Sequence, residues 1–312
     1  MVGSDRFDSI GQYGQNIWKY GQFSRDDDQN RAMPLWNEHS PSFEWTDPDL
    51  VPRPVVSIGA TGIVMESLDR QDADFRHQPA IDFHRHLKGE LLLALRGVMT
   101  CEVENGFWIV PPQSAIWVPG GVEHKFTTTG LLECYVVFID PHAALKLPLT
   151  CCSLSTTPLL RELMVRSASL PMLYAEGGME SHLMTLLLDE IALQQVGNLH
   201  LPMPTDVRLR KIVDMIMDDP ADRGTIQTWA RRVGMSERTL ARLLVHETGM
   251  SFGRWRQQLH LMLAVRWLGA GSSVQQVSDA LGYESASSFV TMFRKNLGAP
   301  PGRYMAERKP AA

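Results

Sequence analysis

Thr225-Ile-Gln-Thr-Trp-Ala-Arg-Arg-Val233, then Gly234-Met235, then Ser236-Glu-Arg-Thr-Leu-Ala-Arg-Leu-Leu-Val-His-Glu247, is the stretch whose reading decides the fold. Gly234 supplies a tight break between two helices, and Ser236 is a good N-cap for the second. Leu240, Leu243 and Leu244 recur at helical spacing and dock that helix on the first. The same logic returns downstream. Val274-Gln-Gln-Val-Ser-Asp-Ala-Leu281 runs to Gly282-Tyr283, after which Ser285 caps Ala286 to Asn296, with Phe289 and Phe293 as the buried face. The two caps, Ser236 and Ser285, lie 49 residues apart, with an apolar-periodic helix over about Phe252 to Leu268 between them. One helix-turn-helix pattern is weak, because any helical hairpin with a glycine turn imitates it. Two in tandem imply a chain that recognises a DNA sequence.

The closing stretch Leu281-Gly-Tyr-Glu-Ser-Ala-Ser-Ser-Phe-Val-Thr-Met-Phe-Arg-Lys-Asn-Leu-Gly-Ala-Pro-Pro-Gly-Arg-Tyr304 resembles the signature of AraC/XylS-type transcription regulators almost throughout. The likeness spans roughly residues 206 to 305. It implies a C-terminal all-α double helix-turn-helix domain over 206–312 whose partner is double-stranded DNA. It also places base contacts on the exposed side of the capped helices. In the first unit these are Arg238 and Arg242, one turn apart, with Thr239; in the second they are Ser287, Ser288, Thr291 and Arg294. Arginine is the commonest reader of guanine, so the first unit is expected to dominate specificity. Arg231, Arg232, Arg254, Arg256 and Lys295 lie on or beside the units as candidate phosphate contacts. RNA polymerase is a further expected partner if the chain activates transcription.

A length of 312 residues accommodates two domains, each with its own core. The formal net charge of −5 conceals an asymmetry: residues 206–312 carry 16 Lys+Arg against 10 Asp+Glu, and the remainder 14 against 25. A basic reader joined to an acidic sensory module has this distribution. The four cysteines, Cys101, Cys134, Cys151 and Cys152, have neither metal-ligand spacing nor a disulfide framework. With no secretory leader pattern and no apolar run of membrane length, a cytoplasmic protein without a membrane partner is expected.

Residues 1–50 are rich in Asp, Gln, Asn, Gly and Ser, include the run Asp26-Asp-Asp28, and show no sustained period. They read as an irregular extension in which Ile17, Trp18, Tyr20, Phe23, Trp36 and Trp45 are available for docking. Short alternating or apolar runs follow: Gly62 to Leu68, Ile81 to His86, Glu90 to Leu95, Met99 to Glu104, Phe107 to Val110, Ser114 to Val118, and Leu131 to Ile139. Closely spaced turns between them predict a small β-barrel. Pro158 to Ser167 and Met179 to Val196 then read as helices, the second with Leu183, Met184, Leu187, Leu188, Ile191 and Leu193 along a broad apolar surface. In AraC-type regulators the corresponding helix often pairs two subunits, so the resemblance implies a homodimer. Residues 197–205, with Pro202 and Pro204, read as the interdomain linker, which leaves 51–196 as the sensor and dimerisation domain.

Within the β region, His84-Arg-His86-Leu-Lys-Gly-Glu90 is followed by Gly97 and then by Pro119-Gly-Gly121-Val-Glu-His124, in which His124 lies just beyond the Pro-Gly turn and comes from a separate strand. His84 and His86, at i and i+2, project from one face of a strand, Glu90 shares their parity, and His124 closes the site from another direction. Three imidazoles and one carboxylate suit a divalent ion such as Zn, Ni, Fe, Mn or Co, with positions open for water or a ligand. The spacings resemble the two motifs of the cupin superfamily, H-x-H-x3-E-x6-G and P-x-G-x2-H. Glycines that the resemblance expects before each motif are here Gln78 and Gln113, and the Asn expected after the last histidine is Thr128. Trp108, Trp117 and Phe138 are candidate walls of a pocket for a small-molecule effector.

The fold class expected is thus multidomain α and β, with a cupin-like barrel and flanking dimerisation helices ahead of the DNA-binding domain. The leading function is a sequence-specific transcription regulator that senses a metal ion or small molecule. The alternative is a metal-dependent cupin enzyme, of dioxygenase or isomerase type, with an incidental helical tail. Two capped reading helices serve no purpose in an enzyme, and the chain has no separate Ser/His/Asp or Cys/His grouping. No enzymatic activity is therefore expected.

Overall fold

A computed structural model describes residues 47–65, 80–104, 106–197 and 199–308. The extension before residue 47, with the aromatic residues named for it, and Gln78 lie outside the described residues. Among the described residues a 3-10 turn, Pro48–Leu50, precedes eight strands, interrupted late by two helices: β1 Val55–Met65, β2 Ala80–His84, β3 Gly89–Val103, β4 Gly106–Val110, β5 Ser114–Val118, β6 His124–Ile139, β7 Cys152–Ser155, α1 Pro158–Ser167, α2 Met179–Ala192 and β8 His200–Pro202. Seven helices complete it: α3 Val207–Asp218, α4 Ile226–Arg232, α5 Glu237–Thr248, α6 Phe252–Gly269, α7 Val274–Ala280, α8 Ala286–Leu297 and α9 Pro301–Ala306.

The two apolar runs Glu90 to Leu95 and Met99 to Glu104 belong to one strand. β3 continues through them, with register shifts between Ala94, Arg96 and Val98 where it changes partners. Its first half lies between β5 and the second half of β6, and its second half between β4 and the first half of β6. The result is two half-sheets that share β3 and β6 and carry β1, β5 and β7 on one side, β2, β4 and β8 on the other. Pairing among the described residues does not return to its starting strand, so the sheet is open rather than the closed barrel expected from the alternation. The register shifts between Ala94 and Val98 divide β3 and β6 into halves, and β2, β4 and β5 each pair with one half only.

Alternation within these strands sorts the side chains into three layers. Leu92, Met99, Cys101, Trp108, Ile116, Val118 and Phe126 come from both half-sheets yet form one cluster, which makes it the interior. The neighbouring residues of opposite parity, Leu91, Leu93, Trp117 and Val137, pack outward against Leu160 and Met164 of α1 and Met184, Leu187 and Ile191 of α2. On the other outer face, Val98, Phe107, Ile109, Leu199 and Leu201 share a core with α3 to α8.

That last core joins the two halves of the molecule. A Cβ on Gly269 would lie 2.2 Å from Val98 Cγ2, so α6 approaches β3 closely only because residue 269 has no side chain. The stretch 197–205, expected as a linker, contains β8, which pairs with β4 as Phe107↔Leu201 and Trp108↔His200. Pro202 fits there because β8 is an edge strand, where a missing N–H goes unneeded. From the helical side, Trp255 Nε1 donates to Pro202 O at 2.8 Å and Gln258 Nε2 to His200 O at 3.0 Å. Glu247 accepts from the backbone N–H groups of Thr205 and Asp206 at 2.6 and 3.1 Å, and Arg210 Nη2 donates to Glu104 O at 2.8 Å. From Leu259 to Arg266 α6 is buried around its whole circumference, because the sheet and both helix-turn-helix units cover it.

Candidate nucleic-acid interface and a buried histidine cluster

Each reading helix is started by a serine. Ser236 Oγ accepts from Thr239 N at 3.1 Å ahead of α5, and Ser285 Oγ accepts from Ser288 N at 3.2 Å ahead of α8. The preceding helices are capped too, α4 by Thr225 and α7 by Ser273, the latter in a reciprocal capping box with Gln276. Leu240 and Leu244 on α5, and Phe289 and Phe293 on α8, point into the common core, which turns the opposite faces to solvent.

On those outward faces Arg238, Arg242, Ser287, Ser288, Thr291 and Arg294 are exposed and Thr239 is half-buried. The hydroxyls are already engaged: Thr239 with Ser236 at 2.8 Å, Ser288 with Ser285 at 3.0 Å, and Thr291 with Ser287 O at 2.9 Å. The guanidinium groups of Arg231, Arg238, Arg242, Arg254 and Arg294 and the Lys295 ammonium enter no ion pair among the described residues and stand in solvent.

Two candidate phosphate contacts have partners within the chain. Arg232 donates to Asp222 Oδ2 at 2.6 Å and lies over the Trp229 ring, 4.2 Å from its centroid. Arg256 is half-buried and donates to the carbonyl oxygens of Asp222 and Gly224. Spacing along the helices placed both correctly near the units. It carried no information about Asp222, which reaches them from the preceding loop.

In the sheet half, β2 pairs with β6 so that His84 and His124 are direct register partners, their rings 4.3 Å apart. Glu90 enters from β3 and His86 from the loop before it. All four are buried, and one donor atom from each lies within 4.8 Å of the others. Glu90 Oε2 is 3.1 Å from His86 Nε2 and 3.0 Å from His124 Nε2. The remaining ring nitrogens face carbonyls: His86 Nδ1 lies against Lys88 O and His124 Nδ1 against Val122 O at 2.8 Å. A carbonyl is satisfied only by an N–H, so Nε2 is the nitrogen each ring turns to Glu90.

Burial by itself raises the Glu90 pKa, but the hydrogen bonds from His124 and His86 overcome it and hold the carboxyl well below the usual range. Burial likewise lowers His86, and its hydrogen bond to Glu90 reverses the sign and raises it. The loop carrying His86 is pinned by residues that the motif did not reveal. Asp49 accepts from Leu87 N and Lys88 N at 2.6 and 2.9 Å, while Lys88 Nζ donates to Pro48 O and Val51 O at 2.7 and 2.9 Å. Gln113 takes φ +58, the left-handed backbone that the expected glycine would have adopted freely.

The three aromatic candidates do not converge. Phe138 stands edge-on to His86 at 5.1 Å, whereas Trp108 stacks on His200 at 4.3 Å and Trp117 faces outward to donate to Pro148 O at 2.7 Å. Glu90 pairs with Val118, so Trp117, one residue before, necessarily projects from the opposite face. Phe126 stands beside the cluster instead, 5.3 Å from His124; its i+2 spacing from His124 was the available signal.

Residues 229–307 match the model of a helix-turn-helix domain family. The chain is 43% identical over 253 residues to the HTH-type transcriptional regulator NimR of Escherichia coli, a match that covers 77% of this chain and 92% of that protein. It is 30% identical over 103 residues to the HTH-type transcriptional regulator RipA of Corynebacterium glutamicum, covering 33% of this chain and 31% of that one. Among solved structures, it resembles the DNA-binding domain of AdpA in complex with a target DNA, with 27% identity, TM-score 0.31, and coverage of 33% of this chain and 96% of that one. Among the described residues no helix is long and apolar enough to cross a membrane. The relatives are regulators rather than cupin enzymes, and the chain belongs to the AraC family of DNA-binding helix-turn-helix transcription regulators.

Proposed function

We propose that the sheet half is a cupin-like sensor in which His84, His86, Glu90 and His124 hold a divalent cation, and that this site biases how the two units meet DNA. The observation that carries the reading is the convergence of four buried donor atoms within 4.8 Å, from three strands and a loop. The donor set fits the ion. Glu90 Oε2 sits between two imidazole Nε2 atoms, 3.1 and 3.0 Å away, and both rings are held from behind by carbonyls. Three neutral imidazoles and one carboxylate leave positive charge on a divalent ion, so an anionic or carbonyl-bearing effector beside Phe138 and Phe126 is the small molecule favoured.

Communication with DNA runs through β8, because strand β4 carries Trp108 on the interior side and Phe107 and Ile109 on the side packed against the helical half. A ligand shifts that arrangement only by binding one form better than another. A homodimer through α2 completes the proposal. Most of its apolar stripe is used against its own sheet, but Met179, Leu186 and Leu193 remain exposed at seven-residue spacing. Contact with RNA polymerase would belong to an activating form.

Elemental analysis of tag-free, full-length protein tests the metal site directly, with His84→Ala/His86→Ala as the comparison. The expected result is close to one equivalent of a transition metal in the wild type, loss of it in the folded variant, and a changed response to chelator in DNA binding. A metal-free wild type that binds no added Zn, Ni, Fe, Mn or Co would overturn the reading.

A further inference from the structure

The two reading units are joined covalently by α6, yet they also meet directly. The loop between α3 and α4, residues 219–224, reaches across the end of α6 to the turn of the second unit. A Cβ on Gly282 would lie 2.6 Å from Ala221 O and 2.9 Å from Ala221 Cα, so backbone meets backbone there. Gly282 also has φ +72, which makes any side chain doubly unfavourable. Beside this contact Arg223 Nε donates to Gly282 O at 2.7 Å, and Arg223 Nη1 lies 3.4 Å from Glu284 Oε1 at the start of the second reading helix.

The same loop is fastened to the first unit and to α6. Asp222 takes the Arg232 guanidinium of α4, Trp229 Nε1 donates to Gly224 O at 3.0 Å, and Arg256 of α6 donates to the carbonyls of Asp222 and Gly224. Next to it opens a cleft of about 480 Å³ whose lining includes Arg223, Arg256, His260 and Tyr283. A single helix between two units is one arm of a hinge. A second, independent strap closes the figure into a triangle and fixes the distance between α5 and α8.

We propose that Arg223 is a positioning residue that sets the spacing tolerance of the DNA site, by strapping the first unit's loop to the turn of the second. It acts through Gly282 and not through the nucleic acid. The inference rests on the reading that both units of one chain engage successive faces of one duplex. Ends of that duplex site about one helical turn apart, roughly 34 Å, demand a fixed separation of the readers. Both bonds of Arg223 are exposed; the 3.4 Å pair with Glu284 contributes little by itself, and the shorter, 2.7 Å charge-assisted bond to the Gly282 carbonyl, which fixes backbone, is the part that matters.

The test uses full-length protein and a duplex selected by the wild type from a random-sequence pool, with one or five base pairs inserted between the two halves of the protected site. Wild type is expected to lose specific binding with five base pairs, about half a turn, and about tenfold in affinity with one. Arg223→Ala should bind the parent duplex within about twofold of wild type and shrink the one-base-pair penalty to about two- to threefold. Arg223→Lys, which keeps the charge but lacks the Nε–H of the fork, should behave like Arg223→Ala in spacing and like wild type in salt dependence, and it covers the case of a poorly folded alanine variant. Unchanged one-base-pair penalties in both variants overturn the strap. A uniform loss of affinity with a shallower salt slope also overturns it, by making Arg223 a phosphate contact. Wild type that tolerates five inserted base pairs refutes the bipartite reading beneath it, a distinct result seen before any variant is made.

Discussion

In the first unit α4 and α5 meet at Gly234 and α5 starts from Ser236; in the second α7 and α8 meet at Gly282 and α8 starts from Ser285. The caps are alike, with hydrogen bonds of 3.1 and 3.2 Å, and both helices pack into the same core, α5 through Leu240 and Leu244 and α8 through Phe289, Met292 and Phe293. What they turn outward differs. α5 presents Arg238 and Arg242, whose guanidinium groups enter no ion pair among the described residues, while α8 presents hydroxyls at Ser288 and Thr291 that are already bonded to its cap and within its first turns, with Arg294 and Lys295 in its last turn. The comparison separates two properties that one motif name conceals. Caps, glycine turns and core leucines or phenylalanines specify the scaffold, and a few long exposed side chains specify how much sequence it can read.

The largest effect expected falls on the axis the units share, and it tests whether they stand or fall together. Burial, reinforced by the Arg256 charge, lowers the His260 pKa from 6.5 to about 4. The unfolded chain therefore takes up this proton first. Stability from the neutral ring is fully present above pH 6.5 and is lost as pH falls through about 4, on the order of 3 kcal/mol in all. Denaturant titrations of wild type and His260→Gln between pH 7 and 4 should diverge at neutral pH and converge in acid. Parallel curves would show that His260 does not carry this dependence.

Reading should then divide unequally. Arg238→Ala is expected to cost about 1 to 3 kcal/mol on the preferred duplex and to relax one base pair, against less than about 1 kcal/mol for Ser287→Ala with Thr291→Ala. Equal losses measured by fluorescence anisotropy would erase the distinction. Stability should divide equally: Ser236→Ala and Ser285→Ala are each expected to cost about 1 kcal/mol, read as similar falls in Tm. The smallest effect separates free from committed cations. Arg254→Gln should flatten the slope of log K against log salt by about 1, while Arg232→Gln should lower Tm and leave the slope unchanged. A slope change with Arg232→Gln would return that residue to the interface.

The helical half was legible because its signals are local: a serine cap, a glycine turn and a leucine or phenylalanine stripe all lie within one unit. So were the strands that alternate, and the four clustered donors, whose spacing survives folding intact. The continuity of β3 was not legible, since two apolar runs separated by Arg96-Gly97 look like two strands until the partners of each half are known. Trp117 fell on the wrong face for the same reason, as its orientation depends on the register that sets Val118 against Glu90. β8 hid behind its prolines. Only its pairing with β4 and the hydrogen bonds from Trp255 and Gln258 reveal residues 200–202 as structure. The partners of Arg232 and Arg256 were not legible either, because Asp222, which both engage, is invisible to helical spacing.

The claim that two similar scaffolds read unequally is tested most directly by selecting duplexes from a random-sequence pool with full-length protein, and repeating the selection with Arg238→Ala. Two half-sites about one helical turn apart are predicted. The half whose preference relaxes in Arg238→Ala should be the more restrictive at each base position, and the other should keep its weaker preference unchanged. A more restrictive half-site that ignores Arg238→Ala, or equal restriction in both halves, would contradict the account.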